Sequence, residues 1–165
     1  MRVYVALGSN LDDPLAQVRA GAQALGKLPG TCLVCCSSSY RTAPVGVTEQ
    51  PDFVNAVCAA DTDMPAGAFL QALLDIERVH GRLRAIPGGP RTLDLDLLLY
   101  GDQVSHEPGL TLPHPRLHER AFVLYPLSEI APGLNIPGRG QVETLRAGCS
   151  GQAIERLAAV IEKRE

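Results

Sequence analysis

RTLDLDLLLYG, residues 91–101, is leucine-rich enough for a buried strand, yet it carries two aspartates, Asp94 and Asp96, at alternate positions. Side chains in a strand alternate between faces, so both carboxylates point the same way while Leu93, Leu95, Leu97 and Leu99 take the opposite face. Aspartate is depleted from strands because it packs badly there and prefers to hydrogen-bond local backbone. Residues two apart on a strand lie about 6.6 Å apart, and two bare carboxylates at that spacing repel by about 2–3 kcal/mol at an effective dielectric of 20. Something must offset that cost.

Working outward from this strand, the chain reads as an alternation of strands and helices. Residues 1–7 alternate, with Val3, Val5 and Leu7 on one face. Asp13 is a good N-cap with Pro14 at the first helical position, and Leu15, Val18, Ala22, Leu25 and Leu28 recur at helical spacing. Residues 31–40 read as a second strand, 41–52 as a Pro/Gly-punctuated loop and 53–61 as a third strand. Pro65 opens a second helix to about His80, with Phe69, Leu70, Leu73, Ile76 and Val79 as its apolar face. A loop at 81–91, GRLRAIPGGPR, leads into the aspartate-bearing strand at 93–100. A small hairpin follows across 101–114; residues 117–125 read as helix, Pro126 as its interruption and 151–164 as a last helix. The order strand, helix, strand, strand, helix, strand is that of a ferredoxin-like α+β domain. The sheet is expected to be mostly antiparallel, with helices packed on one face and an extra C-terminal helical segment, as one domain over residues 1–165.

The 165 residues are 45% apolar and 20% charged, with a formal net charge of −3. This argues against a general nucleic-acid or membrane-surface binder. No stretch approaches the ~20 apolar residues of a membrane span, and the opening apolar run is too short for a secretory segment. Five cysteines, an odd number without a signal peptide, point to a reducing cytoplasm. The cluster CLVCC at 32–36 has no second ligand pair at zinc-like spacing and reads as buried free thiols.

Two readings of Asp94 and Asp96 stand side by side. Neighbouring arginines such as Arg84 or Arg91 can make a structural ion-pair network. Alternatively, the carboxylates hold Mg²⁺, whose remaining ligands are waters and substrate phosphates. Arg82, Arg84 and Arg91 flank the pair and Arg120 follows; arginine's fork suits phosphate. The loop GxxxxGK[ST] occurs nowhere, so phosphates would be held by arginines and metal.

GPRTLDLDLLLYG at 89–101 closely resembles the signature of the 6-hydroxymethyl-7,8-dihydropterin pyrophosphokinases. ALGSNLDDP at 6–14, SYRTAPVG at 39–46, QPDFVNAV at 50–57 and LPHPRLHERAFVLYPLSEIAP at 112–132 extend the resemblance in the family's order. It implies a ferredoxin-like fold, transfer of diphosphate from ATP to the pterin's hydroxymethyl group with release of AMP, and two Mg²⁺ ions bound by Asp94 and Asp96. Arg82 and Arg91 would join the aspartates in catalysis. Phe53 and Phe122 match the aromatics that sandwich the pterin, Asn55 the residue that reads its polar edge, and Thr42, Pro44 and Val45 the pterin-side loop. Glu77, Arg82, Arg84, Arg91, Leu97, Thr111, His114 and Arg120 match the nucleotide side. The segment AIPGGP at 85–90 departs from the pattern, with Gly88 where many members carry an aromatic residue. The expectation is a cytoplasmic, monomeric enzyme of folate biosynthesis with ATP and the pterin as small-molecule substrates and with neither nucleic acid nor membrane as a partner. Two alternatives stand beside it: a metal-dependent phosphohydrolase that uses the same acids but has no need of Phe53, Asn55 and Phe122, and a non-catalytic ferredoxin-like ligand-binding module.

Overall fold

The computed structural model describes residues 1–43, 49–80 and 92–161. The chain opens with β1 (Arg2–Ser9) and α1 (Pro14–Gly26), whose first turn is capped by Asp13 accepting from the Ala16 N–H at 3.5 Å. Next come β2 (Thr31–Cys36), β3 (Ser38–Thr42), β4 (Phe53–Thr62), α2 (Ala66–Val79) and β5 (Asp94–Tyr100). A hairpin of β6 (Ser105–Glu107) and β7 (Leu110–Leu112) leads to a 3-10 turn at Leu117–Glu119 and to α3 (Ala121–Ile130). The last elements are β8 (Asn135–Ile136), β9 (Gly140–Gln141), α4 (Val142–Ala147) and β10 (Ile154–Ala159).

β1 lies between β4 and β5 and is antiparallel to both; β3 pairs with β4 on its far side, and β10 pairs with β3. This is the antiparallel ferredoxin-like arrangement, extended by one strand. The alternation in β1 separates two cores. Val3, Val5 and Leu7 meet α1 and α2 through Val18, Leu25, Phe69 and Leu73. Tyr4 faces the other way, toward Leu117, Leu124 and Leu127 on the α3 side. The expected single helical layer is therefore α1 and α2 alone, with α3 and α4 forming a second layer on the opposite face. No helix among the described residues is long and apolar enough to cross a membrane.

Several expectations are corrected, each by a partner distant in sequence. The strand expected at 31–40 breaks at Ser37, whose hydroxyl accepts from the Val57 N–H at 3.0 Å and donates to the Ser38 carbonyl at 2.7 Å. A side chain thus stands in for backbone in the ladder, and β2 and β3 pair with different ends of β4. Residues 154–159, expected in a helix, form β10 instead. Helical spacing is present there, but the edge of β3 offers unpaired backbone groups, and satisfying them overrides a weak helical preference. Ser39 and Arg19 hold the new strand through the carbonyls of Ala158, Ala159 and Val160.

Pro126 lies inside α3 rather than ending it. Its ring is buried, and burial of Leu124 and Leu127 on either side offsets the backbone bond it cannot make. Val79 is 84% exposed; Glu77 takes its place in the buried stripe of α2. The β1–β5 pairing shifts between Tyr4 and Val5, so Leu98 and Leu99 both fall on the α3 side, and Leu99 does not share a face with Leu95 and Leu97. The cysteine cluster is not a set of buried thiols either. Register places Cys36 opposite Cys58 and the two form a disulfide, while Cys32 already lies on the exposed face and a register shift after Leu33 leaves Cys35 exposed as well.

Candidate active site

Cross-strand partners share a face, so the pairing of β1 assembles a floor across the sheet. One row runs Tyr40, Asn55, Gly8, Asp94; the next runs Val57, Ala6, Asp96. With strands about 4.8 Å apart, Asn55 and Asp94 stand roughly 10 Å from each other across Gly8. The two smallest side chains of β1 on this face, Ala6 and Gly8, leave the floor open. A Cβ on Gly8 would lie 2.9 Å from the Asn55 Oδ1, closer than side chains tolerate. Thr42, the register partner of Phe53, accepts from the Asn55 Nδ2 at 2.8 Å, which orients the amide.

α3 begins above this floor. Arg120 is its extended N-cap and Phe122 sits in its first turn, with the Arg120 guanidinium 5.4 Å from the centre of the Phe122 ring. Burial lowers the Arg120 pKa and Arg116 lowers it further, while Asp96 and Asp94 draw it back up. Thr42, Phe53, Asn55, Asp94, Asp96, Arg120 and Phe122 together line a cavity of about 730 Å³. A second cavity, of about 340 Å³, opens beside β5 and is lined by Glu77, Asp96, Leu97, Thr111 and His114 with several leucines. Asp96 belongs to both.

β5 is an edge strand, and its free side is closed by side chain and loop. Glu77, 2% exposed, accepts the Leu95 N–H on Oε1 at 2.8 Å, between the two aspartates. The His114 N–H donates to the Leu98 carbonyl at 2.9 Å. Burial, then Arg120, push the His114 imidazole down to about 4, against the pull of Asp94. Its Nδ1 accepts from the Arg116 N–H at 3.2 Å, so the neutral ring carries its proton on Nε2 and is a donor there.

The chain matches the family of 7,8-dihydro-6-hydroxymethylpterin-pyrophosphokinases over residues 4–132. It belongs to that family. It is 48% identical over 156 residues to a 2-amino-4-hydroxy-6-hydroxymethyldihydropteridine pyrophosphokinase of Pseudomonas aeruginosa, covering 94% of this chain and 96% of the relative. A Haemophilus influenzae protein of the same name is 46% identical over 134 residues, covering 81% and 84%. Among solved structures, Plasmodium falciparum HPPK-DHPS with pteroate superposes with a TM-score of 0.71 at 12% identity. That match covers 89% of this chain and 42% of the parasite chain, and it speaks to the fold alone.

Of the residues singled out from the sequence of this pyrophosphokinase, Thr42, Phe53, Asn55, Asp94, Asp96, Arg120 and Phe122 converge on the larger cavity. Glu77, Leu97, Thr111 and His114 converge on the smaller one. Pro44, Val45, Arg82, Arg84, Arg91 and the 85–90 segment lie outside the described residues. Ala6, Gly8, Arg116, Glu119 and Gln152, none of them a candidate from the sequence, also line the larger cavity. For the first two a signal existed: on one face of β1 the side chains shrink from Tyr4 to Ala6 to Gly8 toward the site.

Proposed function

We infer that the chain transfers diphosphate from ATP to the hydroxymethyl group of 6-hydroxymethyl-7,8-dihydropterin, releasing AMP, in folate biosynthesis. The observation that carries the assignment of sites is the sharing of Asp96 by two cavities of different character. The larger takes the pterin: Phe53 and Phe122 supply flat apolar surface, and Asn55, held by Thr42, presents Oδ1 to the polar edge. The smaller takes the nucleotide among its leucines, with Thr111 and the His114 Nε2 proton as donors. ATP thereby reaches the pterin over the two aspartates. By resemblance, Arg82, Arg84 and Arg91 join on the nucleotide side, and Pro44 and Val45 on the pterin side.

Asp94 and Asp96 fit Mg²⁺. Both are half-buried and open onto the cavity, and no set of three metal-binding side chains occurs among the described residues. A carboxylate pair of that kind suits an ion that keeps its waters and takes phosphate oxygens as further ligands. When bound, two such ions would neutralise the polyphosphate charge. The chain's own residues then have mainly to bind and align, since phosphoryl-type transfer asks little covalent chemistry of protein. The pterin hydroxymethyl oxygen attacks the β-phosphorus. The bond from that phosphorus to the oxygen bridging the α-phosphate breaks, AMP leaves with the oxygen, and the hydroxyl proton passes to solvent. Arg120, held against Phe122 and facing both aspartates, stands where the transferring group meets the pterin. The same reading has the chain act in the cytoplasm as a monomer.

The test resolves nucleotide products after incubation with Mg²⁺, ATP and the pterin. AMP forming in step with pterin diphosphate, and lost in Asp96→Asn, is the expected result. ADP or free phosphate would mean a different transfer and overturn the assignment.

A further inference from the structure

The helix that carries Arg120 and Phe122 begins without a cap of its own. An α-helix leaves its first N–H groups without intrahelical partners, and the Arg120 side chain makes no capping bond. The partner comes from 31 residues away, where Gln152 Oε1 accepts the Ala121 N–H at 3.0 Å. The same amide donates from Nε2 to the Glu119 carbonyl at 2.8 Å. These two bonds flank Arg120, so the peptide units on both sides of it are held by one side chain. Gln152 is itself anchored: its N–H bonds the Cys149 carbonyl at 3.1 Å, and two residues on Ile154 pairs with Thr42 in the sheet. Thr42 is the residue that orients Asn55. Gln152 therefore links the sheet wall of the larger cavity to its helix wall, and it lines the cavity. It lies beyond residues 4–132, the span of the family match.

We propose that Gln152 is a positioning residue for the pterin, setting the distance between the wall that carries Phe53 and Asn55 and the wall that carries Phe122 and Arg120. A stacking slot works only at one ring separation, and a helix start free to fray would blur it. The proposal rests on the assignment of the larger cavity to the pterin.

The test is direct pterin binding by calorimetry to the full chain and to Gln152→Met, which keeps length and loses both hydrogen bonds, and Gln152→Glu, which keeps the acceptor for Ala121 and loses the donor to Glu119. Phe122→Ala, and Leu25→Ala in the α1 layer, serve as comparisons. The expected Kd rises about tenfold in Gln152→Met, the scale of two hydrogen bonds that hold a binding surface, and less in Gln152→Glu. Leu25→Ala lowers Tm without this loss. An unchanged Kd in Gln152→Met while Phe122→Ala binds weakly overturns the positioning role and leaves the cavity assignment standing. An equal loss of affinity in Leu25→Ala overturns it in favour of general destabilisation. Pterin binding that Phe122→Ala leaves intact overturns the cavity assignment and this inference with it.

Discussion

At the scale of single residues the site depends on what is missing as much as on what is present. Gly8 lacks the Cβ that would crowd the Asn55 amide oxygen at 2.9 Å. Its neighbours in register are Asn55 on one side and Asp94 on the other, so it separates Asn55, proposed to read the pterin, from the carboxylates. Gly8→Ala is expected to turn the amide away from the cavity while the Thr42 bond weakens. The pterin KM should rise about tenfold or more, as a misaligned polar contact costs in a buried site, with the KM for ATP within about twofold. Steady-state kinetics in each substrate check this. Glu77 is the opposite case, a buried acid whose Oε1 holds the Leu95 N–H between the aspartates. Glu77→Gln keeps an acceptor for that N–H. Glu77→Leu leaves that N–H unpaired at a buried edge and should cost about 1–3 kcal/mol, read from urea midpoints.

At the scale of elements, what was legible in the sequence is what local chemistry decides. The alternation of β1, the Asp13 cap of α1, the stripe of Phe69, Leu73 and Ile76 in α2, and the aspartates of β5 all stand where their patterns put them. Each is set by residues two to four apart. The elements that differed are set by partners much farther off. Residues 154–159 are a strand because β3 had an open edge, and β3 starts where the Ser37 hydroxyl takes over a backbone role toward Val57. The disulfide follows from a register that spacing alone does not reveal. The same division runs through the site. Asp94, Asp96, Phe53, Asn55 and Phe122, to which the proposed function assigns the chemistry, stand in short motifs, whereas Gln152 reaches the site only through contacts made 31 and 33 residues away. The docking of β10 shows how far such contacts reach. Glu129 of α3 accepts from the Tyr40 hydroxyl at 2.6 Å and the Ser38 N–H at 2.8 Å, and Arg156 of β10 donates to the Ser38 hydroxyl at 3.0 Å. Glu129→Leu strands the β3 donor and should cost about 1–3 kcal/mol, and it should loosen α3 on the sheet. A fall in hydrogen-exchange protection confined to β3, β10 and α3 is the measurement that checks it.

At the scale of the whole molecule, the sheet separates support from function. One face packs on α1 and α2 and is closed by Phe69, Leu25 and Leu73. The other packs on α3 through Leu117, Leu124 and Leu127, and at its open end the same face becomes the floor of the larger cavity. A ferredoxin-like sheet with one covered face would leave Asp94, Asp96 and Asn55 exposed to water on a flat surface. The second layer turns that surface into a slot and takes Arg120 partly out of water beside the two aspartates, where charges act on one another more strongly. The two cores should then respond differently to cavities of similar size. Phe69→Ala should cost about 3–5 kcal/mol and leave the pterin affinity of the folded fraction within about twofold, because nothing on the α3 face moves. Leu124→Ala should cost about 2–5 kcal/mol and also weaken pterin binding, since α3 can settle into the void and carry Phe122 with it. Urea midpoints paired with pterin calorimetry at low temperature distinguish the two. Equal effects on affinity would mean that the faces are mechanically coupled through the sheet, and the second layer would then be cover rather than the element that sets the slot.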